Sequence, residues 1–259
     1  MPGAPDTAPP WRGVSGAGGA TAARAPWRGR AASASSARME RALVVGASGG
    51  IGSAVAAALE ARGAAVARLS RREDGLDVAD EASVARALGA LEGPFDLVFV
   101  ATGALVVDGH APEKTVRAIT AKGLADQFAV NAVGPALVLK HALPLLPREG
   151  RSVFAALSAR VGSIGDNAIG GWHAYRAAKA ALNQILHGAA IELRRTHKGA
   201  VVLALHPGTV ATRFTADYAG RHRTVPPEEA ASSLLRVIEG ATPAMSGGFY
   251  DYAGREIPW

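Results

Sequence analysis

Val44-Val45-Gly46-Ala47-Ser48-Gly49-Gly50-Ile51-Gly52 decides how this chain folds. A β-branched run stops at a cluster of glycines, and small and apolar residues at helical period follow over 51–62. Glycine lets the backbone come close to a ligand, and the first turn of a helix has amides without helical partners. A pyrophosphate can therefore sit against Gly46, Ser48, Gly49, Gly50, Ile51 and Gly52. With 31 glycines in the chain, such a cluster can also be a bare turn. Its place between a strand and a helix at the start of the fold favours the nucleotide-binding reading.

Further along, apolar runs continue to alternate with helical stretches. Strands are expected at Ala42–Val45, Ala65–Leu69, Leu97–Ala101, Ser152–Leu157, Val201–His206 and Phe249–Tyr252. Helices are expected at Ile51–Arg62, Glu81–Leu91, Ala121–Leu146, Ala174–Arg194 and Glu228–Glu239. This alternation predicts a single α/β domain over 39–259, a doubly wound, Rossmann-type parallel sheet covered by helices. One interval is too short. Only a few residues separate Ala65–Leu69 from Leu76-Asp77-Val78, where a parallel crossover needs about a dozen, so a helix is expected to be missing there.

An NAD site puts an acid at the end of the second strand, on the ribose 2′-hydroxyl. Here that stretch reads Arg68-Leu69-Ser70-Arg71-Arg72. Ser70, Arg71 and Arg72 suit a 2′-phosphate instead, which makes NADP(H) the expected cofactor; the alternative is a solvated basic loop.

Residues 1–38 are Ala, Gly, Pro, Ser and Arg with two isolated tryptophans, and are expected to be a disordered extension outside the fold. Their five arginines against Asp6 carry +4 of the chain's net +6, so the basic balance says little about nucleic acid, and no nucleic-acid partner is expected. The Arg-rich, acid-poor character leaves organelle targeting open, with cytoplasm the default. With no cysteine, disulfides, thiolate metal sites and a cysteine nucleophile are excluded, and the seven histidines show no metal-ligand spacing. No run approaches ~18 uninterrupted apolar residues, so no membrane association is expected.

Tyr175-Arg176-Ala177-Ala178-Lys179 puts a phenol and an ammonium on one face of a helix, four residues apart. Tyrosine titrates near pH ~10, and a lysine charge at ~5 Å in an effective dielectric of ~20 contributes about 3 kcal/mol towards lowering that. The pair could thus exchange a proton near neutrality.

With these motifs in order, the chain from about residue 40 resembles the short-chain dehydrogenase/reductase family, and within it the C-factor-like and sniffer-like carbonyl reductases. The resemblance rests also on Asn131 in Val130-Asn131-Ala132-Val133-Gly134, on Asp77-Val78, and on Pro207-Gly208-Thr209-Val210. The ending from Gly248-Phe249-Tyr250 to Trp259 is similar too. It implies that Tyr175 gives its proton to a carbonyl oxygen while hydride passes from the nicotinamide. Lys179 would hold the ribose and lower the tyrosine pKa, and Asn131 would carry a relay water at an interruption in a long helix. Asp77 and Val78 would lie at the adenine, with Ala101, Thr102, Gly103, Pro207, Gly208, Thr209, Val210 and Thr212 beside the ribose and nicotinamide.

The chain departs from the family pattern at Val45, at Ala101, and after the 152–157 strand, where two adjacent serines are usual and Ser158-Ala159 stands. Either Ser158 serves as the catalytic serine, or Ser163 does, or the hydrogen bond is absent. Trp172 and His173 either wall the substrate pocket or pack under the loop, and His206 reads first as a core histidine. The short polar lid expected over 212–227 suits a small carbonyl or alcohol substrate. A catalytically silent NADP(H)-binding sensor is the alternative function. An extended epimerase or dehydratase would need more chain after Lys179. Relatives pair through the helices carrying Asn131 and Tyr175, which implies a homodimer or homotetramer.

Overall fold

The computed structural model describes residues 39–212, 214 and 224–259. The extension over 1–38 and the lid residues 213 and 215–223 lie outside the described residues. Six strands form one parallel sheet: β1 (Arg41–Val45), β2 (Ala65–Leu69), β3 (Leu97–Val100), β4 (Ser152–Leu157), β5 (Ala200–His206) and β6 (Gly248–Asp251). Their order is β2-β1-β3-β4-β5-β6, and every neighbouring pair is parallel. The order reverses between β1 and β3, so a crevice opens beyond their carboxyl ends.

Alternation along the strands sends side chains to two cores. Val44, Phe99, Ala155 and Leu203 meet α1 (Gly50–Ala61) through Val55 and Leu59, and α7 (Pro227–Glu239) through Leu234 and Ile238. On the other face Leu43, Val98, Phe154 and Val202 pack with Val84 and Leu88 of α3 (Glu81–Gly89), Val138 and Leu139 of α5 (Gly134–Ala142), and Leu182 and Leu186 of α6 (His173–Thr196). Burying such side chains, at roughly 1.5–3 kcal/mol each, fixes how the helices lie on the sheet.

The short interval after β2, where a helix was expected to be missing, holds a helix of one turn. A single helical turn, α2 (Arg71–Asp74), is capped by the Ser70 hydroxyl, which accepts from Glu73 N–H, and it ends at Gly75 with φ of 66°. Leu76-Asp77-Val78 is not a strand; Leu76 and Val78 instead plug the core beneath α3. The chain therefore passes from β2 to α3 without a further strand, and β2 is the sheet edge.

The helix expected over Ala121–Leu146 is interrupted. It comprises α4 (Ala121–Phe128), a π turn over Ala129–Val133, α5, and a 3₁₀ turn over Leu143–Leu145. By length and composition Ala121–Leu145 could cross a membrane. Here it covers the sheet, with Val138, Leu139 and Ala142 in the core.

Candidate active site

A cleft of about 500 Å³ lies at the carboxyl ends of β1, β3, β4 and β5. One end is the turn between β1 and α1. Gly46, with φ of 90°, donates to Leu69 O at 2.7 Å, and its carbonyl accepts from Gly49 N–H. A Cβ on Gly52 would lie 2.2 Å from Gly46 O, and one on Gly50 would lie 2.6 Å from Thr212 Cγ2. Only bare backbone fits at these positions. Gly46 thus shapes the turn from behind, while Ser48, Gly49, Gly50, Ile51 and Gly52 line the cleft.

α1 starts without a side-chain cap and has no acid in its first turn. Its first amides therefore face the cleft as an open anion cradle, which fits the pyrophosphate of a dinucleotide. Arg72 lines the same end. Ser70 is buried, and Asp74 Oδ2 accepts from both its N–H (2.7 Å) and its hydroxyl (3.3 Å), so it holds its own turn together. Neither Ser70 nor the exposed Arg71 lines the cleft. Asp77 and Val78 are also outside the lining: Asp77 Oδ1 accepts from Ala79 N–H, and Val78 packs where a side chain on Gly134 would sit.

Ala101, Thr102 and Gly103 form the floor. The Thr102 hydroxyl is buried without a hydrogen-bond partner among the described residues, a polar atom available to a ligand. A Cβ on Gly103 would meet Asn131 Oδ1 at 3.0 Å and Lys179 Nζ at 3.4 Å, so glycine lets those groups approach. Pro207, Gly208, Val210 and Thr212 close the far wall, and Thr209 is not part of the lining.

Tyr175 and Lys179 project from the first two turns of α6, both buried and both lining the cleft. Lys179 Nζ donates to Leu157 O at 2.9 Å and lies 5.9 Å from the centre of the Tyr175 ring. Burial dominates both titrations. It raises the Tyr175 pKa well above its usual value and pushes Lys179 down to about 7. The expected lowering of the tyrosine by its lysine is thus overridden in the chain alone, because desolvation disfavours both charged forms. Trp172, in a left-handed conformation, sets its ring edge-on to Tyr175 at 6.3 Å, and Phe214 tilts against it at 6.2 Å.

Two features hold this arrangement. α6 has no side-chain cap of its own, and Glu113 provides one from a distant loop: its backbone O accepts from Trp172 N–H and its carboxylate from Ala174 N–H. Asn131 sits fully buried in the π turn. Its Oδ1 accepts from Ala104 N–H, and its Nδ2 donates to Ala104 O and to Gln127 Oε1. The side chain is thus wholly engaged in pinning the loop after β3, and Asn131 does not itself line the cleft.

The two candidate serines differ in position. Ser158 lines the cleft and donates to Asn183 Oδ1 at 2.6 Å. Ser163 is turned away, donating to Pro258 O at 2.5 Å and accepting from Asp166 N–H. His206, read from sequence as a core residue, lines the cleft with Nδ1 buried and without a hydrogen-bond partner among the described residues, and burial lowers its pKa to about 4. Glu113, Gln127, Asn183 and Phe214 escaped the sequence reading. Of these only Asn183 carried a signal, at eight residues beyond Tyr175 on the same helix face.

A family model described as enoyl-(acyl carrier protein) reductase matches residues 46–244. The 1-hydroxy-2-glutathionyl-2-methyl-3-butene dehydrogenase of Rhodococcus sp. (strain AD45) is 34% identical over 236 residues, covering 85% of this chain and 100% of that protein. The C-signal protein of Myxococcus xanthus is 40% identical over 136 residues, 52% of this chain and 78% of that protein. A Burkholderia multivorans protein described as a short-chain dehydrogenase/reductase, solved with bound NADP, superposes with a TM-score of 0.72 at 28% identity, covering 85% of this chain and all of that one. With a switch-point crevice, an open anion cradle and a buried Tyr175–Lys179 pair on one helix face, the chain belongs to the short-chain dehydrogenase/reductase family.

Proposed function

We propose that this protein is an NADP(H)-dependent carbonyl reductase acting on small aldehydes, ketones or the corresponding alcohols, with Tyr175 as its general acid and base. The observation that carries the reading is the single cleft running from the open N-terminus of α1 and Arg72 to Tyr175 and Lys179. Nicotinamide bound there would supply or accept the hydride. The α1 amides would hold the pyrophosphate and Arg72 the 2′-phosphate; with Ser70 tied to Asp74, the guanidinium is the main recognition element.

Burial keeps Tyr175 protonated at neutral pH, the form that gives a proton to a carbonyl oxygen in reduction. Lys179, held by Leu157 O, would bind ribose hydroxyls and return the proton to Tyr175. Because the Asn131 side chain is engaged, a relay water would be held by its main-chain carbonyl, where the π turn interrupts the helical ladder. Ser158 would contact the reacting oxygen. Phe214, which lines the cleft beside the Tyr175 ring, supplies an apolar wall that suits a small carbonyl substrate.

A catalytically silent NADP(H)-binding protein is the second reading, favoured by Ala159 and by the commitment of the Ser158 proton to Asn183. Purified protein with NADPH or NADH over a panel of aldehydes, ketones and diketones separates the two. Turnover with NADPH, together with a shift towards NADH of ~10-fold or more in Arg72→Ala, supports the reductase. Tight NADPH binding without turnover supports the silent form, and an NADH preference in the wild type contradicts the cofactor assignment.

The protein is proposed to work in the cytoplasm. A fluorescent fusion that enters an organelle only when residues 1–38 are present would contradict that.

A further inference from the structure

The face of α6 that presents Tyr175 and Lys179 continues one turn further to Asn183, at i, i+4 and i+8. Asn183 is 2% exposed. One end of its amide accepts the Ser158 hydroxyl proton at 2.6 Å, and the other end, Nδ2, is buried with no hydrogen-bond partner among the described residues. A buried donor left unpaired costs stability that an apolar side chain of the same size would not lose. Packing therefore gives no reason for an amide at 183, whereas its bond to Ser158 does. Ser163 is held by Pro258, so Ser158 is the serine at this end of β4 that lines the cleft.

We propose that Asn183 is a positioning residue for the reaction proposed above, setting the direction in which the Ser158 hydroxyl donates. With Oδ1 facing Ser158, the serine gives its proton to the amide and offers only lone pairs to the cleft. A half-turn of the amide would place Nδ2–H on Ser158 Oγ and free the serine proton for the oxygen of a bound carbonyl. Asn183 thereby acts on the substrate without touching it.

The test is a kinetic double-mutant cycle in the full chain, with NADPH and a carbonyl that the wild type reduces, comparing Ser158→Ala, Asn183→Leu and the double variant. Each single change is expected to lower kcat by ~10-fold or more with the KM for NADPH unchanged, and the double variant to be no slower than the slower single. Losses that multiply in the double variant, or full activity in Asn183→Leu, would overturn the proposal and leave the reductase reading standing. Asn183→Ala is the second variant if the leucine does not fold, and loss of fold in both would assign Asn183 to packing alone and overturn it equally. A wild type that binds NADPH but reduces no carbonyl would instead remove the reductase reading, and this proposal with it.

Discussion

Tyr175 and Lys179 are both buried, and burial favours the neutral form of each. The lysine has a consequence for stability. Its pKa is depressed in the folded chain from 10.5 to about 7, so between those values the unfolded chain holds a proton that the folded chain lacks. Stability should therefore rise with pH across that window, by up to about 5 kcal/mol if the whole shift is realised. Chemical denaturation of the cofactor-free protein at pH 7 and pH 9 measures it, and Lys179→Met should flatten the slope; an unchanged slope in that variant would assign the effect elsewhere. The pair was legible from its i, i+4 spacing. What spacing could not convey is that desolvation outweighs the lysine's charge, because that depends on the residues packed around the pair. The same holds for Ser158 and Ser163, which stand five residues apart in sequence and differ only in whether the backbone turns them towards Asn183 or Pro258.

The turn between β1 and α1 works as an element rather than as separate glycines. Its carbonyl at Gly46 faces Gly52 so closely that Gly52→Ala would push the first turn of α1 off the strand. The expected outcome is a loss of ~1–3 kcal/mol in stability and at least ~10-fold weaker NADPH binding, read by thermal melting and fluorescence titration. Wild-type affinity in this variant would mean that the cradle is not the nucleotide site. Strand and helix positions were visible in the sequence because each buries one face in a regular period. The π turn around Asn131 was not, since its residues keep helical composition and only the bonding changes. The N-terminal cap of α6 was equally hidden: Glu113 reaches it from 61 residues away, and local capping patterns reveal only local partners.

At the scale of the molecule, the sheet order places every cleft-lining strand end on one side of the fold, and helices cover both faces of the sheet. Val133 on the π turn and Ile185 and Ile191 on α6 are exposed apolar side chains on the helices through which pairing is proposed. A homodimer or homotetramer should appear in sedimentation equilibrium, and Ile185→Asp should shift it towards monomer; a wild type that stays monomeric at tens of micromolar would contradict pairing. A helix was expected to be missing before Leu76, whereas a one-turn helix stands there and Leu76-Asp77-Val78 is not a strand; Asp77 and Val78 lie outside the cleft lining, Val78 buried beneath α3 and Asp77 exposed.

The central claim is that Tyr175 supplies the proton for hydride transfer from NADPH to a carbonyl. It is tested most directly by following deuterium from 4-deuterated NADPH into the alcohol product, in the wild type and in Tyr175→Phe. Label in the wild-type product, with turnover reduced ~100-fold or more and NADPH affinity retained in the variant, is the predicted result. Equal labelling rates in both proteins would contradict it.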